Sequence, residues 1–385
     1  MMDRSNHKSE IINHKSTAFS LLALVAMSAA AARAIADENF GTGRHFVQAI
    51  NDGCIMAGSA EHVAGNNFMK YYDGYKWKDY YSDLKNFTGC TVRFKDKKPG
   101  DYWLLPGASR DDGSPWKYAL NKWDGTTFTD LKGNLIGFSG NRVDIVRWGS
   151  CGHWLIAGAA NYYSKPKLNK YDGTTWTDLS SHIADQNYGI TKMLYSGTYW
   201  LIVGNGGWVK KYDGAATWTN VSTGWGVGQG LDIDALGWNG SYWLAGNWQG
   251  KVGRYDGATW TDLSSAAGFT SGKCVFGINW SPTLNYWLVG SEGNPAMLKE
   301  YDGASWTSVS EWSTSWRINT IDWTGTTFVI GYYDASDGYK CKIASYDGTT
   351  LIQGVKVVPE PGGITLVVCA AIAGLIRLLW NRKKG

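Results

Sequence analysis

Histidine, cysteine and proline are scarce in this chain of 385 residues, at 6, 6 and 8 copies. The scarcity removes several kinds of chemistry. Between the two ends only His45, His62, His153 and His182 remain, widely separated, and no H-E-x-x-H motif occurs. Cys54, Cys90, Cys151, Cys274, Cys341 and Cys369 form no C-x-x-C pair and no metal-ligand spacing, so no metal and no cofactor is expected. A G-x-S-x-G nucleophile turn and a glycine-rich phosphate loop are likewise missing. Long runs of one charge are absent from the body. Of 37 basic and 33 acidic residues, 29 and 31 lie between residues 37 and 360, which leaves no basic stripe for nucleic acid. No stretch carries the 3.6-residue periodicity of an amphipathic helix, so an α/β architecture is excluded.

The two ends differ from the body. Arg4, Lys8 and Lys15 precede an apolar, small-residue stretch from Ala18 to Ala32, and Ala34-Ile35-Ala36 offers an A-x-A cleavage site. Residues 1–36 therefore read as a secretory signal, followed by a linker over 37–45. At the other end, Pro359-Glu360-Pro361 precedes an apolar run over 364–380 and a basic terminus, Arg382-Lys383-Lys384. Seventeen residues just cross a bilayer core as a helix, with Arg377 near the inner end. The basic cluster should stay inside and the body outside. This tripartite segment, 358–385, resembles the PEP-CTERM sorting signal. The resemblance implies an exosortase-type processing enzyme as partner, transient passage through the inner membrane, and release to the cell surface or beyond. A permanent single-span anchor is the alternative reading.

Between the ends one phrase recurs seven times. Its aspartates are Asp73, Asp124, Asp172, Asp213, Asp256, Asp302 and Asp347, spaced 51, 48, 41, 43, 46 and 45 residues apart. Each is followed by glycine, and an aromatic lies shortly downstream in six copies, as in Tyr171-Asp172-Gly173 with Trp176. A second phrase precedes it, as in Tyr199-Trp200-Leu201 and Tyr242-Trp243-Leu244. Asn239-Gly240 and similar turns join it to an upstream alternating run. Each unit thus predicts four short strands, with the Asp-Gly as a structural turn whose carboxylate caps backbone N–H groups. One carboxylate per turn is too few for calcium. Four strands every ~45 residues predict an all-β, seven-bladed β-propeller of four-stranded antiparallel blades over 46–357. The expected blades are 46–84, 90–131, 142–180, 189–222, 231–264, 273–309 and 317–357. The tryptophans of the second and fourth strands should fill the wedge between neighbouring blades. His153, at a second-strand aromatic position, is expected to be a packing residue.

The unit resembles kelch-type and Asp-box propellers. Its Tyr171-to-Trp176 spacing is tighter than kelch, the kelch Gly-Gly doublet is missing, and Asp172-Gly173-Thr174-Thr175-Trp176 is one residue shorter than an Asp-box. The resemblance supports the fold and carries no activity.

Of 22 tryptophans, six fall outside the repeat positions and the C-terminal segment: Trp116, Trp208, Trp225, Trp248, Trp312 and Trp316. All six map to connections that open on one face of a propeller, and form the candidate ligand-binding set. Exposed aromatic rings suit sugar rings and protein hot spots alike. Asp144, Asp232, Asp234 and Asp322 fall on innermost strands, where they could face the central channel. The expected function is a non-catalytic binding or scaffold protein at the cell surface, recognising polysaccharide or a surface protein. The alternative is a secreted, glycosidase-like enzyme with carboxylates at the channel mouth.

Overall fold

The computed structural model describes residues 45–49, 55–59, 69–72, 77–85, 91–92, 96–98, 101–109, 117–160, 164–222, 231–269, 273–293, 295–310, 312, 317–334 and 340–353. The leader, the Pro359-Glu360-Pro361 segment and the apolar run over 364–380 lie outside them. Among the described residues no helix is long and apolar enough to cross a membrane.

Those residues form seven antiparallel sheets, numbered here in chain order: 45–79, 91–130, 145–178, 190–220, 233–262, 275–308 and 317–352. Six have four strands in sequential order. The second has five, because Thr91–Val92 and Asp96–Lys97 both pair with Trp103–Ser109. Among the described residues the part of Trp103–Ser109 between those two pieces pairs only with Lys117–Trp123, and it contains Pro106, which has no N–H to offer an inner neighbour. The first strand of each sheet is innermost. Ile145–Gly149 packs on Ile190–Tyr195, then Ile233–Trp238, Val275–Ser281 and Arg317–Trp323 follow in turn. Arg317–Trp323 also meets His45–Ala49, so the last sheet touches the first.

The Asp-Gly turns behave as the sequence predicts. Asp172 Oδ1 accepts hydrogen bonds from the N–H groups of Thr174 (2.8 Å) and Thr175 (2.7 Å). Asp124, Asp213, Asp256, Asp302 and Asp347 repeat this geometry; Asp73 lies outside the described residues. Donation from those backbone N–H groups holds the Asp124 and Asp172 carboxyls down to about 2. Among the described residues no cluster of His, Cys, Asp and Glu suited to a metal is present.

The wedge between sheets is filled by the second-strand tryptophans. Trp154, Trp200, Trp243 and Trp287 are fully buried. Each indole N–H crosses to the preceding sheet: Trp154 to Tyr102 Oη, Trp243 to Tyr199 Oη and Trp287 to Tyr242 Oη, at 2.8–3.0 Å. Trp200 instead donates to His153 Nε2 at 3.3 Å. His153 is therefore a packed residue standing in for tyrosine, and burial pushes its imidazole down to about 4. In the seventh sheet Phe328 takes the tryptophan position and has no N–H to donate.

Of the fourth-strand tryptophans, Trp260 is buried as expected, its indole N–H donating to the Val221 carbonyl at 2.8 Å. Trp176, Trp218 and Trp306 correct the expectation, being half-buried. They stack on the repeat tyrosine across their own hairpin, with centroids 4.3 Å apart for Tyr171–Trp176 and 4.4 Å for Tyr301–Trp306. They lie on the outermost strand, and a ring from the segment after the preceding sheet meets two of them from the other side: His182 stacks on Trp218 at 5.3 Å, and Phe269 meets Trp306 edge-on at 5.9 Å.

Candidate functional site

Of the six surplus tryptophans, Trp116, Trp225 and Trp316 lie outside the described residues. Trp208 and Trp312 are buried, which overturns the expectation that they form a ligand platform. The Trp208 indole donates to the Tyr188 carbonyl at 3.2 Å, and Trp312 packs edge-on against Tyr332 at 5.0 Å. Each large ring buries more area under its own loop than it would by lying in water. Trp248 is different. Its side chain stands 50 % exposed.

Trp248 occupies the turn between the second and third strands of sheet five. Its backbone N–H donates to the Asp232 carbonyl (2.9 Å), and its ring meets Phe276 edge-on, centroids 6.1 Å apart. Asp232 reaches the other way, its Oδ1 accepting from Gly206 N at 2.8 Å. Tyr188, an exposed aromatic outside the tryptophan set, packs beside Gly206. Tyr188, Gly206, Asp232, Trp248 and Phe276 thus form a connected arc along one rim, spanning sheets four to six. Tyr188 is one of 22 tyrosines, and nothing in the sequence singles it out.

The arc leads into the channel. The innermost strands of sheets four to seven each carry a β-bulge at the same place, with Thr191, Asp234, Phe276 and Asn319 as the extra residues. A bulge breaks the alternation of side chains and re-aims the extra residue, and Phe276 lines a cavity of about 100 Å³. Leu194, Leu236, Ile278 and Ile321 give the cavity apolar walls, while Arg147, Lys192, Asn279, Thr320 and Asp322 make it polar. The Arg317 guanidinium lies 3.7 Å from the Phe276 ring centroid, with its Nη1 3.8 Å from Glu292 Oε2.

The four channel aspartates part company here. Asp144 is buried against Arg142 at 3.2 Å. Asp232 belongs to the rim. Asp234 acts electrostatically on Lys192. Asp322 alone lines the cavity, its Oδ1 accepting from Asn279 Nδ2 at 2.7 Å. Burial pushes the Lys192 ammonium down to about 7; Asp234 opposes this, and the Arg147 and Arg317 charges add to it. The site therefore offers an aromatic surface outside and a mixed-charge recess inside, with Arg147 and Lys192 beside Asp322 in its wall.

No protein-family pattern and no curated protein matches the chain. Solved structures do. One, described as YCF48 bound to D1 peptide, aligns with a TM-score of 0.54 at 11 % identity, over 80 % of this chain and 94 % of that one. A chain of a mitotic checkpoint complex aligns with a TM-score of 0.51 at 12 % identity, over 69 % and 79 %. The fold is of β-propeller type. At these identities the likeness speaks to fold alone.

Proposed function

We propose that this chain is an exported, non-catalytic binding propeller of seven blades that recognises a surface polysaccharide through the rim around Trp248. The leader and the PEP-CTERM-like tail place the body at the cell surface in this reading. One observation carries it: a half-exposed tryptophan, tied by its backbone to Asp232 and in ring contact with Phe276, which lines a polar recess. Rigid aromatic area of this kind binds at low entropic cost. A surface-protein ligand is the second reading, favoured by a similar fold that carries a bound peptide. Screening the protein on glycan and peptide arrays tests both. The expected result is glycan binding that Trp248→Ala weakens about tenfold with the thermal midpoint unchanged. Glycan binding indifferent to that substitution refutes the site, and a peptide-only response moves the protein to the second reading.

A further inference from the structure

We infer that Asp232, which links Trp248 to the Tyr188 loop, is the hydroxyl-binding residue of the rim and makes it a subsite for an uncharged sugar. The inference rests on the binding reading above and names the class of sugar and the residue that selects it. Among the described residues three large apolar or aromatic side chains stand exposed: Ile136, Tyr188 and Trp248. Ile136 and Tyr188 lie between sheets and Trp248 between a second and a third strand, the connections that open on one face of a propeller. Two of the three are joined through Asp232. A sugar needs this pairing of surfaces: its apolar C–H face stacks on a ring while its hydroxyls donate to a carboxylate.

The parts are held before any ligand arrives. Trp248 is anchored by its N–H on the Asp232 carbonyl and braced by the Phe276 ring. The Tyr188 loop is pinned twice, by the Trp208 indole N–H on the Tyr188 carbonyl at 3.2 Å and by the Asn205 N–H on the Gly189 carbonyl at 2.9 Å. The Tyr188 ring lies against Gly206, where a Cβ would stand 2.8 Å from its Cδ2. Half-buried between them, Asp232 has Oδ1 occupied by the Gly206 N–H at 2.8 Å, while its Oδ2 meets no protein donor among the described residues. The Gly206 bond fixes the carboxylate, so Oδ2 presents its lone pairs at a set place beside the rings. A carboxylate only accepts, so the ligand must donate. Sugar hydroxyls do so, whereas a uronate would bring like charge to the same oxygen. A cationic ligand would meet Arg317, whose guanidinium lies 3.7 Å from the centroid of Phe276, the ring next to Trp248.

Asp232→Asn isolates the claim. Its oxygen stays on the Gly206 N–H, which only an acceptor can meet, so the amide nitrogen replaces Oδ2 and turns an acceptor into a donor. The full-length protein is screened on an array of neutral, uronate-bearing and sulfated glycans with trimethyl-lysine peptides alongside, and the tightest ligand is carried into calorimetry. The expected ligand is a neutral glycan. Asp232→Asn should weaken it about tenfold or more, and narrow its preference over the uronate counterpart, with the thermal midpoint unchanged. If the midpoint falls, deoxy analogues titrated into the wild type replace the variant: one of them should lose about tenfold, and equal affinity across the set overturns the assignment. An acidic glycan as the tightest ligand overturns it too. So does neutral-glycan binding that Trp248→Ala weakens and Asp232→Asn leaves unchanged, with the Trp248 rim left intact. Binding of the peptides alone overturns the sugar. Absence of glycan binding, or glycan binding that Trp248→Ala leaves unchanged, overturns the rim reading itself.

Discussion

Acidification should weaken this protein through one imidazole, and the effect should vanish when His153 becomes tyrosine. His153 is buried, its Nε2 accepts the Trp200 indole N–H at 3.3 Å, and the Cys151 sulfur lies 3.5 Å from its Nδ1. Protonation would put a charge in the wedge and turn the acceptor of the Trp200 bond into a donor. Burial is the main cause of the fall from 6.5 to about 4, with Lys170 adding to it and Asp172 opposing. The sign follows by linkage. Above pH 6.5 the ring is neutral in both folded and unfolded chains. Between 6.5 and 4 the unfolded chain binds a proton that the folded one refuses, so stability falls as pH drops, and below 4 the loss levels off. At ~1.4 kcal/mol per unit the full gap is about 3 kcal/mol. Partial solvent access around the hairpin reduces this to about 2 kcal/mol. Urea denaturation at pH 7, 5.5 and 4 measures it. In His153→Tyr the new hydroxyl meets Trp200 as Tyr102, Tyr199 and Tyr242 meet their own tryptophans. The difference between wild type and variant should therefore open by about 2 kcal/mol between pH 7 and pH 4. Parallel curves for the two proteins over that range would refute the reasoning.

Position in the wedge should grade the tryptophans. Trp200→Ala removes a fully buried ring and should cost about 3–5 kcal/mol, whereas the half-buried Trp176→Ala should cost about half as much; denaturation midpoints compare them. The Asp-Gly turns offer a second measurement. Gly173 has φ +108° and Gly257 φ +101°; an added Cβ would meet nothing at the first and only an ordinary contact with Tyr199 Oη, at 3.4 Å, at the second. Both alanine variants should therefore lose a similar amount, about 1–3 kcal/mol, to backbone strain alone. Asp172→Ala should lower the thermal midpoint and Asp172→Asn should lower it less, since asparagine keeps an oxygen acceptor for the Thr174 and Thr175 N–H groups. Because the Asp172 carboxyl is held at about 2, that contribution is complete above 3.8 and lost as pH falls through 2.

The repeat made much of this legible in advance. Asp-Gly turns and the Tyr-Trp-Leu phrase describe contacts within one hairpin or between one unit and the next, and such contacts recur whenever the phrase does. Even the exception was readable: His153 stands at an aromatic position, and the structure shows it doing a tyrosine's work. The surplus tryptophans were not readable to the same degree. Trp208 and Trp248 occupy the same kind of connection, Trp208 four residues after Gly204 and Trp248 two after Gly246, yet one is sealed and the other half-exposed.

Sequence alone determined the strand pattern, the turn chemistry and the identity of the residues that seal the wedges, because each depends on neighbours a few residues away or one repeat on. Only the tertiary structure decided which rings reach solvent and which charges meet. Arg147, Lys192, Asp234 and Arg317 belong to four different sheets. Their encounter, and the bulge that places Phe276 at the cavity wall, depend on how the innermost strands pack side by side. No period in the chain encodes that distance.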